Sequence, residues 1–175
     1  TNAMTATISG SADAGTLVSL YVDADASGTL SEGDSLADSQ QLGVAETGFS
    51  FSASLTANVT NRFVVTATDA ADNESCVAAL SAITQDPINP QPIISLNGFS
   101  PTNASSLSFT IDFSEEVTGF DQSDISIGNG VISNFVNVSA SQATFNVAPA
   151  GDGDVTIDIE SGAAVDLAGN ASDAA

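Results

Sequence analysis

Leu107-Ser108-Phe109-Thr110-Ile111-Asp112-Phe113 alternates large apolar with polar side chains without a break. A period of two puts Phe109, Ile111 and Phe113 on one face of a β-strand and Ser108, Thr110 and Asp112 on the other. A helix would scatter both sets around its axis. One face is therefore destined for a core and the other for solvent.

Short runs of the same kind recur along the chain. They cover residues 5–9, 16–22, 36–42, 49–55, 62–68 and 77–84, then 93–96, 107–113, 124–127, 131–138, 143–147 and 155–159. Gly, Asn, Asp and Ser punctuate them, and helical periodicity is nearly absent. Between the two groups lies Gln85-Asp86-Pro87-Ile88-Asn89-Pro90-Gln91-Pro92, which holds three of the five prolines. Proline fixes φ and removes a backbone donor, so this stretch reads as a semi-rigid extended joint. The spacing predicts an all-β protein of two tandem immunoglobulin-like β-sandwich modules, residues 4–85 and 93–175, joined by a Pro-rich linker over 86–92. Asn129-Gly130 is expected to form a type I′ hairpin turn, and Asn97-Gly98 is a second candidate.

Composition narrows the chemistry. The 175 residues carry 22 Asp and Glu, a single base, no histidine and a net charge of −21. Such a surface repels phosphate backbones and anionic lipid heads, so nucleic acid and direct membrane insertion are excluded as expectations, while divalent cations are natural partners. Only 13% of residues are charged and 42% are hydrophobic, enough apolar material for folded cores. Cys76 is the only cysteine, so no intrachain disulfide can form, and a small buried side chain is expected there. No stretch reaches the ~20 apolar residues of a membrane helix. Thr1-Asn2-Ala3 ahead of Met4 reads as an added leader, and the chain as a piece excised from a longer protein.

The sharpest chemical signal is Asp23-Ala24-Asp25-Ala26-Ser27-Gly28-Thr29-Leu30-Ser31-Glu32-Gly33-Asp34. Oxygen-bearing side chains occupy positions 1, 3, 5, 9 and 12, with glycine at 6 and an apolar residue at 8. That spacing wraps a hard cation, position 7 contributing its backbone carbonyl. Asp23, Asp25, Ser27 and Asp34 are the expected side-chain ligands for Ca2+. Thr29 would ligate through its carbonyl and Ser31 through water, with Glu32 able to replace a ligand. The preceding run, Leu17-Val18-Ser19-Leu20-Tyr21-Val22, reads as a strand and not as an EF-hand helix. Asp instead of Glu at position 12 and a neutral Ser at position 5 point to a dissociation constant of ~0.1–1 mM. The competing reading is an acidic hairpin loop rich in turn-forming Asp, Ser and Gly.

Two further segments repeat one another. Asp69-Ala70-Ala71-Asp72-Asn73-Glu74-Ser75 and Asp166-Leu167-Ala168-Gly169-Asn170-Ala171-Ser172 share D-x-A-[GD]-N-x-S, each near the end of its module. These ends resemble the closing motif of bacterial immunoglobulin-like repeats found in large surface adhesins and RTX-type secreted proteins. Phe113-Ser114-Glu115-Glu116-Val117-Thr118-Gly119-Phe120 with Ser123-Asp124-Ile125, and Asp152-Gly153-Asp154-Val155-Thr156-Ile157, are similar to signatures of one such subfamily. Ile8-Ser9-Gly10-Ser11-Ala12 with Gly15-Thr16-Leu17-Val18 resembles the opening of another. Asp72 departs from the pattern, which has glycine there. The resemblance implies an extender or adhesive segment of an extracellular, cell-surface protein that works beside neighbouring repeats and has no enzymatic activity.

In calcium-stiffened tandem modules, carboxylates of a module end and its linker share ions. Asp69, Asp72 and Asn73 with Asp86 form a second candidate set of this kind, to which Glu115, Glu116 or Asp121 would add oxygens. Asp166 and Asn170 would then serve a following repeat. The alternative for the motif is an Asx-type turn that bonds its own backbone. Catalysis lacks the residues for the usual nucleophile–base pairs, and Glu115 and Glu116 are expected on opposite faces of a strand. Without lysine, no Lys–Asn isopeptide staple can form. A carbohydrate- or surface-binding module is the alternative function, with Tyr21 beside the acidic loop as its one aromatic platform.

Overall fold

The computed structural model describes every residue, Thr1–Ala175. The chain separates into two units, Thr1–Pro87 and Ile88–Ala175, with the boundary inside the proline-bearing stretch.

In the first unit, β1 (Thr5–Ser11) pairs antiparallel with β4 (Gly48–Ser54). A second sheet has the order β3-β2-β6-β7, built from Ser35–Gln41, Leu17–Val22, Phe63–Thr68 and Ala78–Ala79. The inward faces follow from alternation. Ile8, Phe51 and Ala53 from one sheet meet Val18, Leu20, Phe63 and Val65 from the other, with Leu42 completing the cluster. Each of the larger side chains withdrawn from water contributes roughly 1.5–3 kcal/mol before chain entropy is subtracted.

The expected strand over 77–84 splits in two. The Leu80 N–H donates to the Phe63 carbonyl, which carries the chain across the start of β6. β8 (Ile83–Thr84) then pairs with a strand too short to be legible in the sequence, β5 (Thr60–Asn61). Cys76 is exposed, contrary to expectation, because it lies in the connection between β6 and β7 and not on a core-facing strand.

In the second unit, a four-stranded sheet has the order β13-β14-β10-β9, from Gly130–Ser139, Gln142–Pro149, Leu107–Phe113 and Pro92–Leu96. Facing it are the pairs β12–β15 (Ile125–Gly128 with Thr156–Ile159) and β11–β16 (Val117–Thr118 with Val165–Asp166). Phe109, Ile111 and Phe113 point inward as their alternation requires, joined by Ala143, Phe145 and Val147 of the neighbouring strand. Val117, Phe120, Ile125 and Ile159 close this core from the other side. Phe109 and Phe145 stack with centroids 5.4 Å apart, and Phe113 meets Phe120 edge-on at 5.1 Å, both favoured aromatic geometries.

Neither expected hairpin turn forms as read. Asn129 takes the left-handed conformation the sequence suggests (φ 54°), but β12 and β13 are not paired with each other. The Asn129 side chain donates to the carbonyls of Gly151 and Asp154, and its own carbonyl accepts from Ala150. That network turns the chain from one sheet into the other. Asn97-Gly98 opens a longer connection, since β10 begins only at Leu107.

Candidate metal centre

The loop 23–34 joins β2 to β3, which are adjacent and antiparallel, so its two ends are fixed by sheet pairing. The Asp23 N–H continues that pairing by donating to the Arg62 carbonyl. Gly28 occupies the left-handed region at φ 68°, where a side chain would be strained. The sharp turn expected at position 6 is present.

Backbone donors then aim the carboxylates inward. The Ser27 N–H donates to both Asp23 Oδ1 and Asp25 Oδ1, and Gly28 N–H donates to Asp23 Oδ2. Asp34 accepts from Ala24 and Ser31. Ser31 Oγ donates to Asp25 Oδ2 at 3.2 Å, and Ser27 Oγ lies 3.0 Å from the Thr29 carbonyl. Carboxylate oxygens of Asp23, Asp25 and Asp34 fall within 4.8 Å of one another. Oxygens held 2.3–2.6 Å from one calcium ion span at most about 5 Å, so the three are spaced for a common ion. Each oxygen keeps a second lone pair beside the N–H bond it accepts. Glu32 is exposed and stands outside this trio.

Asp23 is 8% exposed while Asp25 is open to solvent. Hydrogen bonds from the Ser27 side chain and backbone, reinforced by Ser31, hold the Asp25 carboxyl below its usual range. The loop thus gathers three carboxyl groups and stabilises the charge on Asp25. An all-oxygen, acid-rich donor set of this kind suits a hard divalent cation and offers nothing to a soft one.

In the other predicted set, Asp69, Asp72 and Asn73 do not meet Asp86. Asp69, Asp72 and Asn73 follow Thr68, the end of β6 that pairs with Leu17. Asp86 follows Gln85, whose backbone pairs with Asn58 and Val59 ahead of the opposite end of β6. The length of a six-residue strand therefore separates them. Asp69 forms an Asx-type turn instead, accepting from the N–H groups of Ala71 and Asn73 and from the Asn73 side chain at 2.8–2.9 Å. Those bonds, the Asn73 side chain foremost, lower its pKa. Asp72 adopts φ 62°, so the turn keeps its shape despite lacking the glycine.

The second copy of the motif repeats this geometry in a drier setting. Asp166 accepts from Gly169 at 2.6 Å, from the Asn170 N–H at 2.8 Å and from the Asn170 side chain at 2.7 Å. Burial pushes its pKa up, but these donors outweigh burial and the net shift is downward. In both copies the serine ends the turn the same way. Its N–H bonds the carbonyl of Ala67 or Ala164, and its Oγ accepts from the same residue's N–H. β16 pairs Asp166 with Val117, and a carboxylate oxygen of Glu115 comes within 4.8 Å of one of Asp166. The loop therefore bonds within its own module.

Glu115 and Glu116 lie in a bend between β10 and β11, not on a strand, with Glu115 half-buried and Glu116 exposed. Asp121 caps the 3-10 turn Gln122–Asp124 by accepting from Ser123. Tyr21 is half-buried in β2.

No curated protein matches the chain. The family described as bacterial Ig-like domain matches residues 86–175, more than half of the chain. That segment holds the four-stranded sheet with its Phe109–Phe145 core and the buried Asp166–Asn170 turn. By this match, over the same residues that fold into the second β-sandwich, the chain belongs to the bacterial Ig-like domain family.

Proposed function

We propose that this chain is a calcium-stabilised structural extender of a bacterial cell-surface or secreted adhesin, with neighbouring repeats of the same protein as its partners. The carrying observation is the convergence of Asp23, Asp25 and Asp34 within 4.8 Å on a loop whose ends are fixed by adjacent strands. Family membership supports a surface or structural module and no catalytic role. At net −21 the free chain repels itself, over a range of only ~8 Å at physiological salt. A bound calcium ion would offset two of those charges where three carboxylates crowd together. Asp23, Asp25 and Asp34 would supply carboxylate oxygens, Ser27 its hydroxyl, Thr29 its carbonyl and Ser31 a water-bridged contact. With the loop ordered, β2 and β3 would be clamped at the end the loop joins and the module would resist bending and unfolding.

Thermal unfolding in calcium against EDTA tests this, with Asp25→Asn as the control. Asparagine retains an oxygen for the Ser27 N–H while removing the charge and the second oxygen, which accepts from Ser31 Oγ. For a dissociation constant of ~0.1–1 mM, about 5 mM calcium should stabilise by roughly 1–2.3 kcal/mol. In a module of this size that raises the midpoint by roughly 5–15 °C. Magnesium should not reproduce the shift, and Asp25→Asn should abolish most of it. An unchanged midpoint in calcium would reduce the loop to an acidic turn.

A further inference from the structure

In both units the chain turns back after the D-x-A-[GD]-N-x-S motif and runs antiparallel along the strand it has just left. In the first unit the Ser75 N–H bonds the Ala67 carbonyl, and β7 pairs Ala78 with Val65 and Ala79 with Val64. The Leu80 N–H then reaches the Phe63 carbonyl, and its side chain packs against the core. In the second unit the Ser172 N–H bonds the Ala164 carbonyl, and Ala175 and Ile159 exchange two main-chain bonds, at 2.9 and 2.8 Å. Aligning Ser172 with Ser75 sets Ala175 at the place of Ala78.

The edge beyond that pair is uncovered. β15 pairs with β12 along one side only. In an antiparallel ladder the groups that face one neighbour recur at every second residue, so Ile157 turns its N–H and C=O the same way as Ile159. No strand lies against them. Ile159 is buried, while Ile157 and Val155, which pack on the same core, are only half-buried. Leu80 covers the corresponding place in the first unit.

Such an edge is a template for one more strand. Charge selects the kind. Asp158 and Glu160 are exposed along this edge, and Asp152 and Asp154 are exposed just ahead of it. An acidic segment is repelled there, and so is a second copy of a chain carrying −21. The first unit shows what fits, since Ala78–Thr84 carries no charge at all.

We infer that the outer edge of β15 accepts one further antiparallel strand, an uncharged peptide segment with an apolar side chain opposite Ile157. Continuing the register of the Ala175–Ile159 pair, the residue opposite Ile157 exchanges both main-chain bonds with it, and its N–H donates to the Ile157 carbonyl as Leu80 does to Phe63. Its side chain stands on the core side beside Ile157 and Val155 and withdraws them from water.

A copy of Ala79–Thr84 joined after Ala175 tests this in the intact chain, with the same copy bearing Leu80→Pro as its control. Proline lacks the N–H that would bond the Ile157 carbonyl. Hydrogen exchange is read by NMR at each amide, and the unfolding midpoints of both units are measured in parallel. The added strand should slow exchange of the Ile157 amide ~10-fold or more and raise the second unit's midpoint by roughly 5 °C or more. The proline copy should do neither, and the first unit's midpoint should not move. An Ile157 amide that exchanges as in the parent overturns the inference. So does equal protection by the proline copy, or protection that falls on the edge of β13 and not on β15.

Discussion

Asn73 and Asn170 occupy equivalent places in two copies of one turn and make the same side-chain bond to an aspartate, at 2.9 and 2.7 Å. Their surroundings differ. Asp166 and Asn170 are each only 6% exposed, and the Asp173 N–H donates to the carbonyl of buried Pro90 near the end of the same turn. Asp69 and Asn73 are open to water. Replacing either asparagine by alanine removes one donor from a carboxylate, but only at Asp69 can water take its place. Losing a bond to a buried charged group costs ~1.5–3 kcal/mol, and taking about 2 kcal/mol the second unit's midpoint should fall by roughly 8–16 °C in Asn170→Ala. Asn73→Ala should move the first unit's midpoint by about 3 °C or less. Scanning calorimetry of the intact chain, with the transitions assigned by NMR, reads both. Equal losses, or a larger loss at Asn73, would refute the claim that burial sets the worth of this bond. The pH dependence has a definite sign. The Asp166 pKa is lowered in the folded state, so its contribution is complete above the unfolded value near 3.9 and is lost as pH falls through the lower folded value. The Asn170→Ala deficit should therefore shrink below about pH 4, because a protonated Asp166 no longer prizes that donor.

Other outcomes follow from the same contacts. Phe145→Ala removes a ring that is 1% exposed and stacked on Phe109, and should cost the second unit ~3–5 kcal/mol while the first unit's transition is unmoved. Chemical denaturation followed by tyrosine fluorescence isolates the first unit, since Tyr21 is the only tyrosine and tryptophan is absent. Asp72→Gly relieves a non-glycine residue at φ 62° and should leave the turn intact, with the Asn73 amide shift retained in NMR spectra and the midpoint unchanged or raised by a few degrees. A collapsed turn would show that the Asp72 carboxylate, not the backbone angle, defines this loop.

Periodicity alone determined the β class, the positions of most strands and the inward faces, because alternation is a local property that a core merely reads out. Phe109, Ile111 and Phe113 had one side to bury and buried it. The twelve-residue loop was legible for the same reason, since Asp23, Asp25 and Asp34 lie close in sequence and a glycine at the turn position brings them together. Pairing was not legible. Asn129-Gly130 has the chemistry of a hairpin turn, yet bonds to Gly151 and Asp154, remote in sequence, made it a crossing between sheets. Two-residue strands such as β5, β11 and β16 carry no period at all and exist only because a partner strand is there. Asp69 and Asp86 looked like neighbours along the chain, but β6 holds them at opposite ends of one module. Local chemistry fixed which residues could bind an ion or form a turn. Only the long-range pairing of strands decided which of them meet, and how much water stands between.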